Sequence, residues 1–482
     1  MELRGKKVTV VGLARSGVGA ANILVRLGAD VTVTDKKAKS ELPDVVARLS
    51  PQVRLALGDH PQEIFLSADL IVVSPGVPLG MGQIVSAKSR GVPVIGELEL
   101  AYRILEDRIP FLAVTGSNGK STTTTLLDFM LRKGGKRTML GGNIGNALTE
   151  EILKSAEAQK RGSADGKVPG LPGFLASSAV DYAVVEVSSF QLDAIDAFRP
   201  RIASVLNITP DHLDRYHSLE EYGRSKARIC GNQGEGDFVV LNADDPETER
   251  LGAELAGRPE NRPGIFYFSR TREVKGLYSR GGKVYCDIPH LSYSPERSFI
   301  SVEEIRIKGV HNLENAMAAS AMALLANCPA GAVIDALREF GGLEHRLELV
   351  REIGGVRYVN DSKGTNVGAV MKSVESFDGP VILIAGGRDK AGDFSALRDI
   401  VSRKVKALVL IGEASQKIKD ALGDVTDAVM AADLREAVNM CRERAEKGDV
   451  VLLSPACASF DMFRDFEDRG GKFKEIVMGL HG

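Results

Sequence analysis

Short runs of β-branched and other apolar residues alternate with helix-like segments along the whole chain. This alternation restricts the fold more than any other feature of the sequence. Each run is short and ends at a glycine, a proline or a polar residue, which is typical of strands buried on both faces of a parallel sheet. Strands that are connected through helices in this way form a parallel sheet covered by helices. The sequence therefore predicts an α/β fold.

The runs fall into three groups, and 482 residues are too many for one hydrophobic core. The groups are 8–12, 31–35, 70–73 and 93–96; then 111–116, 182–187, 202–209 and 238–242; then 358–361, 381–387, 407–412 and 450–454. We predict three tandem domains: a Rossmann-like N-terminal domain at 1–98, a central P-loop-type ATPase domain at 99–342 and a Rossmann-like C-terminal domain at 343–482. Residues 155–180 are rich in glycine, proline and small side chains, which predicts a surface excursion to which we assign no chemistry.

Composition argues against nucleic-acid and membrane partners. The 62 lysines and arginines nearly balance 64 acidic residues, so no net field favours a polyanion. The five cysteines are scattered and form no C-x-x-C pair, which predicts buried thiols in a reducing compartment. The N-terminus lacks the apolar region of a signal peptide, and no apolar run reaches the length of a membrane span. We therefore expect a cytoplasmic protein, a monomer, with small-molecule partners.

A phosphate-binding turn is indicated at residues 115–122, which read TGSNGKST. A buried strand ends there in a glycine-bounded turn and a helix follows, so that backbone N–H groups and the helix dipole converge on an anion. Lys120 would supply positive charge, and the Ser121 hydroxyl suits a magnesium ion that bridges phosphates. The strict P-loop pattern requires glycine where Val114 stands, so the turn is a shortened variant. Taken alone, the segment also fits a glycine-rich turn before a capped helix.

Further segments follow in the order of a known family. They are GGNIG at 141–145, EVSSFQL at 186–192, NITPDHLD at 207–214, NADD at 242–245, HNLEN at 311–315, HR at 345–346 and DSKGTN at 361–366. Together with the phosphate loop they resemble the Mur ligase superfamily, which also contains folylpolyglutamate synthetase, over essentially the whole chain. SSFQL at 188–192 and LSPACASFD at 453–461 are similar to its D-glutamate-adding branch. The resemblance implies ATP-dependent joining of D-glutamate to UDP-N-acetylmuramoyl-L-alanine through an acyl phosphate, giving ADP and phosphate, in peptidoglycan precursor biosynthesis.

The resemblance also implies an ATP site and two magnesium ions. The implied ATP contacts are Gly116, Ser117, Asn118, Gly119, Lys120, Ser121, Thr122, Asn315, Arg346 and Asp361. The implied metal ligands are Ser121, Glu186, His212 and Lys226, and the implied catalytic residues are Lys120, His212 and Lys226. By itself His212 would be interpreted as a hydrogen-bonded structural residue, and Lys226, on a predicted helix, as a solvated cation. In the family, the lysine that matches Lys226 carries a carbamate formed with carbon dioxide, which is an anionic oxygen ligand.

The N-terminal loop at 12–17 reads GLARSG, and Asp35 ends the next strand, which resembles a dinucleotide-binding turn. Ala14 stands where a middle glycine would let a pyrophosphate approach closely, which argues against NAD. Arg15 also lies in this loop. The resemblance implies that the UDP-substrate contacts Ser16, Asp35, Ser74, Gly76, Asn143 and Gln191. Among these, Ser16 would contact the phosphates, Asp35 the uracil, and Asn143 and Gln191 the muramoyl portion. Lys36 departs from the polar neutral residue expected there, so the uracil contacts stay unspecified; a Rossmann-like turn that binds nothing is the structural alternative.

An incoming amino acid with two carboxylates requires cations and hydroxyls, because a buried unpaired carboxylate is unfavourable. Such groups lie just past predicted strands of the third group. The resemblance implies D-glutamate contacts at Lys363, Thr365, Lys390, Ser459 and Phe466, the last through its backbone. Each of them alone would be interpreted as an ordinary surface residue. Since the implied ligands are spread over different domains, catalysis would require domain closure.

Three other functions stay open from the sequence. A sister ligase that adds L-alanine, a diamino acid or a dipeptide would share the central domain. The pocket around Lys390 and Ser459 would determine which of these amino acids or peptides is added. An NAD-dependent dehydrogenase with an accessory nucleotide domain is opposed by Ala14 and by the family pattern. A nucleotide-binding regulatory module without turnover is the third.

Overall fold

Three β-sheets follow one another along the chain. The structure is a computed structural model that describes residues 2–105, 108–161, 180–212, 215–289, 298–390 and 392–480. Each sheet is built from one continuous stretch of sequence, and helices connect most of its strands. The predicted α/β class and the three successive units are therefore confirmed. The boundaries at residues 98 and 342 stay predictions. Within the described residues, no helix is both long and apolar enough to cross a membrane.

The first unit is a five-stranded parallel sheet in the order β3-β2-β1-β4-β5. Its strands are β1 (Lys7–Val11), β2 (Asp30–Asp35), β3 (Arg54–Leu57), β4 (Leu70–Val73) and β5 (Val94–Gly96). Its helices are α1 (Arg15–Arg26), α2 (Pro43–Val46), α3 (Gln62–Leu66), α4 (Gly82–Ser89) and α5 (Glu97–Leu105). The strand order reverses between β1 and β4, and parallel sheets bind ligands at the carboxyl ends of such strands. The loop after β1 and the loop after β4 therefore lie at the predicted substrate position.

The second unit is a nine-stranded sheet in the order β14-β13-β12-β11-β10-β9-β6-β8-β7. Its strands are β6 (Phe111–Thr115), β7 (Thr138–Gly142), β8 (Tyr182–Glu186), β9 (Ile202–Val205), β10 (Phe238–Asn242), β11 (Gly264–Ser269), β12 (Gly276–Arg280), β13 (Lys283–Asp287) and β14 (Ile300–Ser301). Its helices are α6 (Lys120–Lys133), α7 (Leu148–Arg161), α8 (Ser189–Leu192), α9 (Leu219–Ala227), α10 (Pro246–Ala256), α11 (Val310–Leu325) and α12 (Ala330–Glu339). The predicted parallel sheet is extended by an antiparallel edge, since β13 runs against both β12 and β14.

The surface excursion predicted at 155–180 begins later than expected. Helix α7 continues to Arg161, because its apolar residues Ile152 and Ala156 remain buried at helical spacing. Residues 162–179 of the predicted excursion lie outside the described residues.

The third unit is a six-stranded sheet in the order β15-β16-β20-β17-β18-β19. Its strands are β15 (Glu348–Ile353), β16 (Val356–Asn360), β17 (Val381–Gly386), β18 (Val405–Ile411), β19 (Asp427–Met430) and β20 (Val450–Leu453). Its helices are α13 (Val367–Glu375), α14 (Arg398–Lys404), α15 (Ser415–Leu422), α16 (Leu434–Arg444) and α17 (Phe466–Met478). Only β15 among the described strands of this unit is antiparallel to its neighbour. All five cysteines are free and buried, as the sequence predicts.

Helix α5 connects the first sheet to the second through two buried glutamates. Glu97 Oε1 accepts hydrogen bonds from the backbone N–H and the hydroxyl of Thr149 at the start of α7, at 2.7 and 2.8 Å. Glu99 is fully buried and accepts backbone N–H groups of Asp196, Ala197 and Phe198 at 2.9–3.0 Å. The two carboxylates therefore fix the first unit to the segments that follow β7 and β8.

Replacing Glu99 by alanine is expected to lower the melting temperature by roughly 5 °C or more, because three buried N–H groups lose their acceptor. Differential scanning calorimetry measures the change. Glu303→Ala, which removes an exposed carboxylate, is the matched control. Equal melting temperatures for Glu99→Ala and the control would contradict the assigned role of Glu99.

Candidate active site

The predicted phosphate loop joins β6 to α6 and forms the centre of the site. Gly119 caps α6 at φ 86°, a left-handed conformation that favours glycine. A Cβ atom at this position would lie 2.2 Å from Asn315 Oδ1 of α11, so the loop also requires glycine for close packing. The start of α6 therefore lies close to the Asn315 side chain of α11, which also accepts the Thr123 hydroxyl of α6 at 3.2 Å.

The segment after β9 holds the phosphate loop in place. In the sequence, Asn207 and Thr209 of this segment contributed to the family resemblance but had no assigned role. Asn207 accepts the N–H of Ser117 with its backbone oxygen at 2.9 Å and that of Asn118 with its side-chain oxygen at 2.8 Å. The Ser117 hydroxyl donates to the Thr209 carbonyl oxygen at 2.9 Å and accepts the Thr209 N–H at 2.9 Å. Asn207 and Thr209 therefore fix the loop conformation. Their signal in the sequence was a polar pair directly after a buried strand.

Two lysines converge on the carbonyl oxygen of Gly116. The Lys120 ammonium donates to it at 2.8 Å and to the Ser117 carbonyl oxygen at 2.9 Å, and Lys226 donates to it at 2.9 Å. Burial lowers the pKa of Lys120 although Glu186 and Asp211 oppose the shift. Burial, followed by the charge of Lys120, lowers the pKa of Lys226 far below its ordinary value. Lys226 is therefore not the solvated cation that its helical position alone would indicate.

Glu186 ends β8 beside the phosphate loop, since the strand register pairs it with Val114. Its Oε1 accepts the Asn143 side-chain N–H at 2.7 Å, whereas its buried Oε2 has no hydrogen-bond partner among the described residues. The Thr122 hydroxyl is likewise buried without a described partner. Hard cations such as magnesium prefer oxygen ligands. The unsatisfied carboxylate oxygen of Glu186 and the Ser121 hydroxyl of the phosphate loop are oxygen ligands of the kind that such an ion prefers.

His212 lies at the rim of the site, against an aromatic support. Its backbone is left-handed at φ 54°, and its partly exposed ring meets that of Phe190 edge to face at a centroid distance of 4.9 Å. The Arg215 guanidinium covers the Phe190 ring, 4.1 Å from its centroid, and donates to the Pro75 carbonyl oxygen at 3.3 Å. His212 is thereby connected to the loop after β4, which carries Ser74 and Gly76. Leu213 and Asp214 of the predicted segment lie outside the described residues.

The third unit contacts the phosphate loop directly. Lys363, after β16, donates to Ser121 Oγ at 2.8 Å, and its ammonium lies 5.1 Å from the centroid of the Phe466 ring. Burial lowers the pKa of Lys363 to about 8. The Lys390 ammonium lies 3.4 Å from Asp211 Oδ1, beside His212. Lys363 and Lys390, which the sequence assigned to the C-terminal site, thus contact the start of α6 and Asp211, respectively.

Asp211 is a residue that sequence reasoning missed. It is mostly buried, and its Oδ2 also accepts the side-chain N–H of Asn366 at 3.2 Å. Burial would raise its pKa, but the charges of Lys390, His212 and Lys120 outweigh burial and lower it. A carboxylate immediately before His212 in a strand-end segment was the available signal.

Arg469 was also missed, and it organises the predicted amino-acid pocket. It is fully buried in α17 and donates to the Ser362 carbonyl oxygen at 2.9 Å and to that of Cys457 at 3.3 Å. Burial lowers its pKa to about 10. These contacts hold together the segments that carry Lys363 and the buried Ser459. The sequence signal for its burial was the spacing of Arg469 from Phe473, which places the two residues on the same face of α17.

The two remaining residues assigned to this pocket engage their neighbours through the backbone. The N–H of Thr365 donates to the Lys363 carbonyl oxygen at 2.9 Å. Phe466 begins α17, and its carbonyl oxygen accepts the Ser362 hydroxyl at 2.8 Å. Neither contact occupies the Thr365 hydroxyl or the Phe466 N–H.

The predicted nucleotide residues outside the loop line a pocket between the second and third units. Its lining includes Asn118, Gly119, Asn207, His311, Glu314, Asn315, Arg346, Asp361 and Lys372. Asp361 is buried and accepts the hydroxyls of Ser373 and Ser454, both at 2.7 Å. Burial raises its pKa against the opposing charge of Arg346. Arg346 Nε is buried without a described hydrogen-bond partner, so Arg346 retains donor capacity for a ligand.

Four of the predicted UDP-substrate residues, Ser16, Asp35, Ser74 and Gly76, lie at or just after strand ends of the first unit, whereas Asn143 and Gln191 belong to the second unit. Both Asp35 oxygens are engaged, by the N–H groups of Leu13 at 2.7 Å and Lys37 at 2.9 Å. The Ser74 hydroxyl donates to the Gly12 carbonyl oxygen at 2.8 Å. Ser16 lies in the first turn of α1 and is partly exposed, and Gly76 is exposed. Gln191 caps α8, since its side-chain oxygen accepts the Ser188 N–H at 2.9 Å.

The fold and the site together define a three-unit nucleotide-binding protein whose phosphate loop is closed by its third unit. Three family models match it: Mur ligase MurD-like, N-terminal domain at residues 6–96; Mur ligase middle domain at 114–323; and Mur ligase, glutamate ligase domain at 345–457. The chain belongs to the Mur ligase family. It is 45% identical to the UDP-N-acetylmuramoylalanine--D-glutamate ligase of Geotalea daltonii, over 100% of this chain and 99% of that protein. It is 42% identical to the protein of the same name from Acidobacterium capsulatum, over 100% of this chain and 98% of that protein.

Solved structures show the same fold at low sequence identity. UDP-N-acetylmuramate-alanine ligase MurC from Thermotoga maritima has a TM-score of 0.59 at 17% identity, over 98% of this chain and 99% of that one. Escherichia coli FolC in complex with ADP has a TM-score of 0.55 at 17% identity, over 79% of this chain and 92% of that one. These likenesses support the three-domain α/β fold.

The nucleotide pocket leads to a prediction about acid stability. Burial, and then the charges of Arg346 and Lys372, lower the pKa of His311 from 6.5 to about 3. Below about pH 6.5 the unfolded chain binds a proton at His311 that the folded chain does not bind, so the folded state loses stability as the pH falls. His311→Gln is expected to remove about 1.4 kcal/mol of the stability difference between pH 7.5 and pH 5.5.

Denaturant unfolding at the two pH values measures this difference. His217→Gln removes an exposed histidine and serves as the control. If the difference persists undiminished in His311→Gln, His311 is not the neutral buried group that its surroundings indicate.

Proposed function

We infer that the protein joins D-glutamate to UDP-N-acetylmuramoyl-L-alanine with ATP, giving ADP and phosphate, in peptidoglycan precursor biosynthesis. The observation that carries this function is 45% identity, over the whole length of both chains, to a relative of that name. The MurD-like model of the N-terminal domain and the glutamate ligase model of the C-terminal domain support the choice of acceptor and amino acid. The two flanking domains, rather than the central one, therefore distinguish this ligase from its sister ligases.

The reaction begins at the phosphate loop. The terminal carboxylate of UDP-N-acetylmuramoyl-L-alanine attacks the γ-phosphorus of ATP, ADP leaves, and an acyl phosphate forms. Lys120 would exchange its two loop carbonyl oxygens for phosphate oxygens, because an ammonium prefers an anion to a neutral acceptor. The N–H groups of Ser117 and Asn118 donate to Asn207 and fix the loop, so the remaining loop N–H groups would stabilise negative charge as it develops on the transferred group.

The amine of D-glutamate then attacks the acyl carbon, and the tetrahedral adduct loses phosphate to leave an amide. Lys363, Thr365, Lys390, Ser459 and the Phe466 backbone would bind the two carboxylates. Lys390 is paired with Asp211 in this structure, so an incoming carboxylate would compete with Asp211 for the ammonium. Because Asp211 precedes His212, this exchange would bring the amino acid next to the reacting carboxylate.

The family is ATP-dependent, with magnesium as its typical ion. Ser121 and Glu186 would hold one magnesium ion and His212 with substrate oxygens a second, and Lys226 would add an oxygen ligand as a carbamate. Magnesium, when bound, supplies positive charge that neutralises the phosphate oxygens. Asn143 donates to Glu186, and this contact orients the carboxylate that has an unsatisfied oxygen.

Lys226 fits a metal site only as an anion. Its buried amine, whose pKa lies far below the ordinary lysine value, is suited to attack carbon dioxide while neutral. A nitrogen–carbon bond forms and a proton leaves to solvent, so that a carbamate replaces the ammonium. The carbamate would remove the repulsion between Lys226 and Lys120.

We further propose the division into domains at 1–98, 99–342 and 343–482, with the UDP-substrate at the first, ATP at the second and D-glutamate at the third. The partners are small molecules only, and neither nucleic acid nor membrane takes part. The protein would act as a monomer in the cytoplasm, where nucleotide-linked precursors and ATP are available.

The assay is phosphate release from ATP with UDP-N-acetylmuramoyl-L-alanine and each of D-glutamate, L-alanine and a diamino acid. Release is expected with D-glutamate, and Lys120→Ala is expected to lower it at least roughly 100-fold. Lys133→Ala, at the other end of α6, is the matched control. Release that is independent of D-glutamate would refute the specificity, and full activity of Lys120→Ala would refute the role of the loop.

The carbamate is tested by carbon-13 NMR of the protein equilibrated with labelled bicarbonate. A carbamate resonance is expected in the wild type and in Lys88→Gln, which removes an exposed lysine, and not in Lys226→Gln. A spectrum that is the same in all three proteins would exclude a carbamate at Lys226.

A further inference from the structure

The residues assigned to the UDP-substrate carry no positive charge. Ser16, Ser74 and Gly76 are neutral, and Asp35 is an acid. A UDP-linked substrate brings a diphosphate with two negative charges, which proteins usually bind with charge-assisted hydrogen bonds from arginine or lysine. A cation beside Ser16, the proposed phosphate contact, is therefore missing from the assignment.

Arg15 occupies that position. It is the first residue of α1, directly before Ser16, and its side chain is exposed. No ion pair joins it to any described carboxylate, and the first turn of α1 contains no acidic residue. Lys36 and Lys37, the other cations nearby in sequence, follow Asp35 on the neighbouring strand, where uracil rather than phosphate is expected.

The loop at 12–17 leaves room for ligand contacts only at its rim. A Cβ atom at Gly17 would lie 2.0 Å from the Gly12 carbonyl oxygen, so the loop closes tightly on itself. The residues between these glycines that are at least partly exposed and carry polar side chains are Arg15 and Ser16. A diphosphate at this loop therefore meets the guanidinium and the hydroxyl together.

Arg15 also reaches the second unit. Its Nη1 donates to the carbonyl oxygen of Gly145 at 3.1 Å, across the cleft between the first and second units. Gly145 belongs to the loop after β7 that carries Asn143, the proposed contact of the muramoyl portion. A guanidinium has five N–H donors in a planar fork, so it can keep one on a carbonyl oxygen while others bind phosphate.

We propose that Arg15 binds the diphosphate of the UDP-substrate and connects it to the Asn143 loop, an inference that rests on the proposed function. Arg15 supplies the positive charge that Ser16, Ser74 and Gly76 lack. Because the same side chain contacts Gly145, diphosphate binding also orders the loop that receives the next portion of the substrate. Arg15 is thus a substrate-binding residue of the first unit and a bridge to the second.

The test is calorimetric titration of the full-length protein with UDP, uridine and ADP. Arg15→Leu is expected to weaken UDP binding about ten-fold or more and to leave uridine and ADP unchanged, because only UDP places phosphates at this loop. Arg15→Lys retains the charge but loses the fork, so an intermediate loss for UDP is expected. Arg26→Leu removes the exposed arginine at the other end of α1 and is expected to bind all three probes as the wild type does.

Each outcome decides between the proposals. Unchanged UDP affinity in Arg15→Leu overturns the inference, and so does an equal loss for UDP and uridine, which would indicate a merely structural role. A wild type that binds ADP but not UDP counts against the proposed substrate itself, and the inference then falls with it. A loss confined to UDP, accompanied by an increased KM for the UDP-substrate and an unchanged KM for ATP, supports it.

Discussion

The burial of two ammonium groups on one backbone oxygen, that of Gly116, is the interaction on which the site depends. Burial disfavours the charged form of each lysine and lowers the pKa of both Lys120 and Lys226, and the charge of Lys120 lowers that of Lys226 further. An arrangement of this kind is stable only if anions lie nearby, and Glu186 and Asp211 supply them within the protein. Nucleotide phosphates would supply more. The position of the two lysines is therefore complementary to a ligand that carries several negative charges.

The strands in the middle of the three sheets were predictable because they are apolar on both faces. The 70–73 and 238–242 runs match β4 and β10 to the residue. Of the edge strands, β5 was predicted at 93–96 and the others were not. β3 and β19 are partly exposed, and the antiparallel strands β12 to β14 combine charged and aromatic residues, so none of them shows a continuous apolar run. Such strands form because a neighbouring strand offers hydrogen bonds, and that information is not local in the sequence.

The residues of the candidate site were likewise predictable only in part. Residues at strand ends, such as Glu186 and Lys363, were identified because the carboxyl edge of a parallel sheet is where ligands bind. Contacts between units were not predictable, since the Lys363 contact with Ser121 depends on how the third unit is placed. The burial of Lys226 follows from the packing of α9 against the phosphate loop, which helical periodicity alone does not reveal. Asp211 and Arg469 act through neighbouring residues, so their roles became visible only with the contacts.

The two connections between the units are built differently. The first consists of α5, whose two buried glutamates accept hydrogen bonds from Thr149 and from the backbone after α8 in the second unit. The second contains two non-glycine residues with left-handed backbone, His345 at φ 61° and Leu347 at φ 46°, a conformation that L-residues adopt at a cost of roughly 1–2 kcal/mol each. A change in the backbone angles there would relieve strain, whereas a change at α5 would break buried hydrogen bonds. A rotation of the third unit about residues 345–347 would therefore leave the hydrogen bonds that α5 makes to the second unit intact.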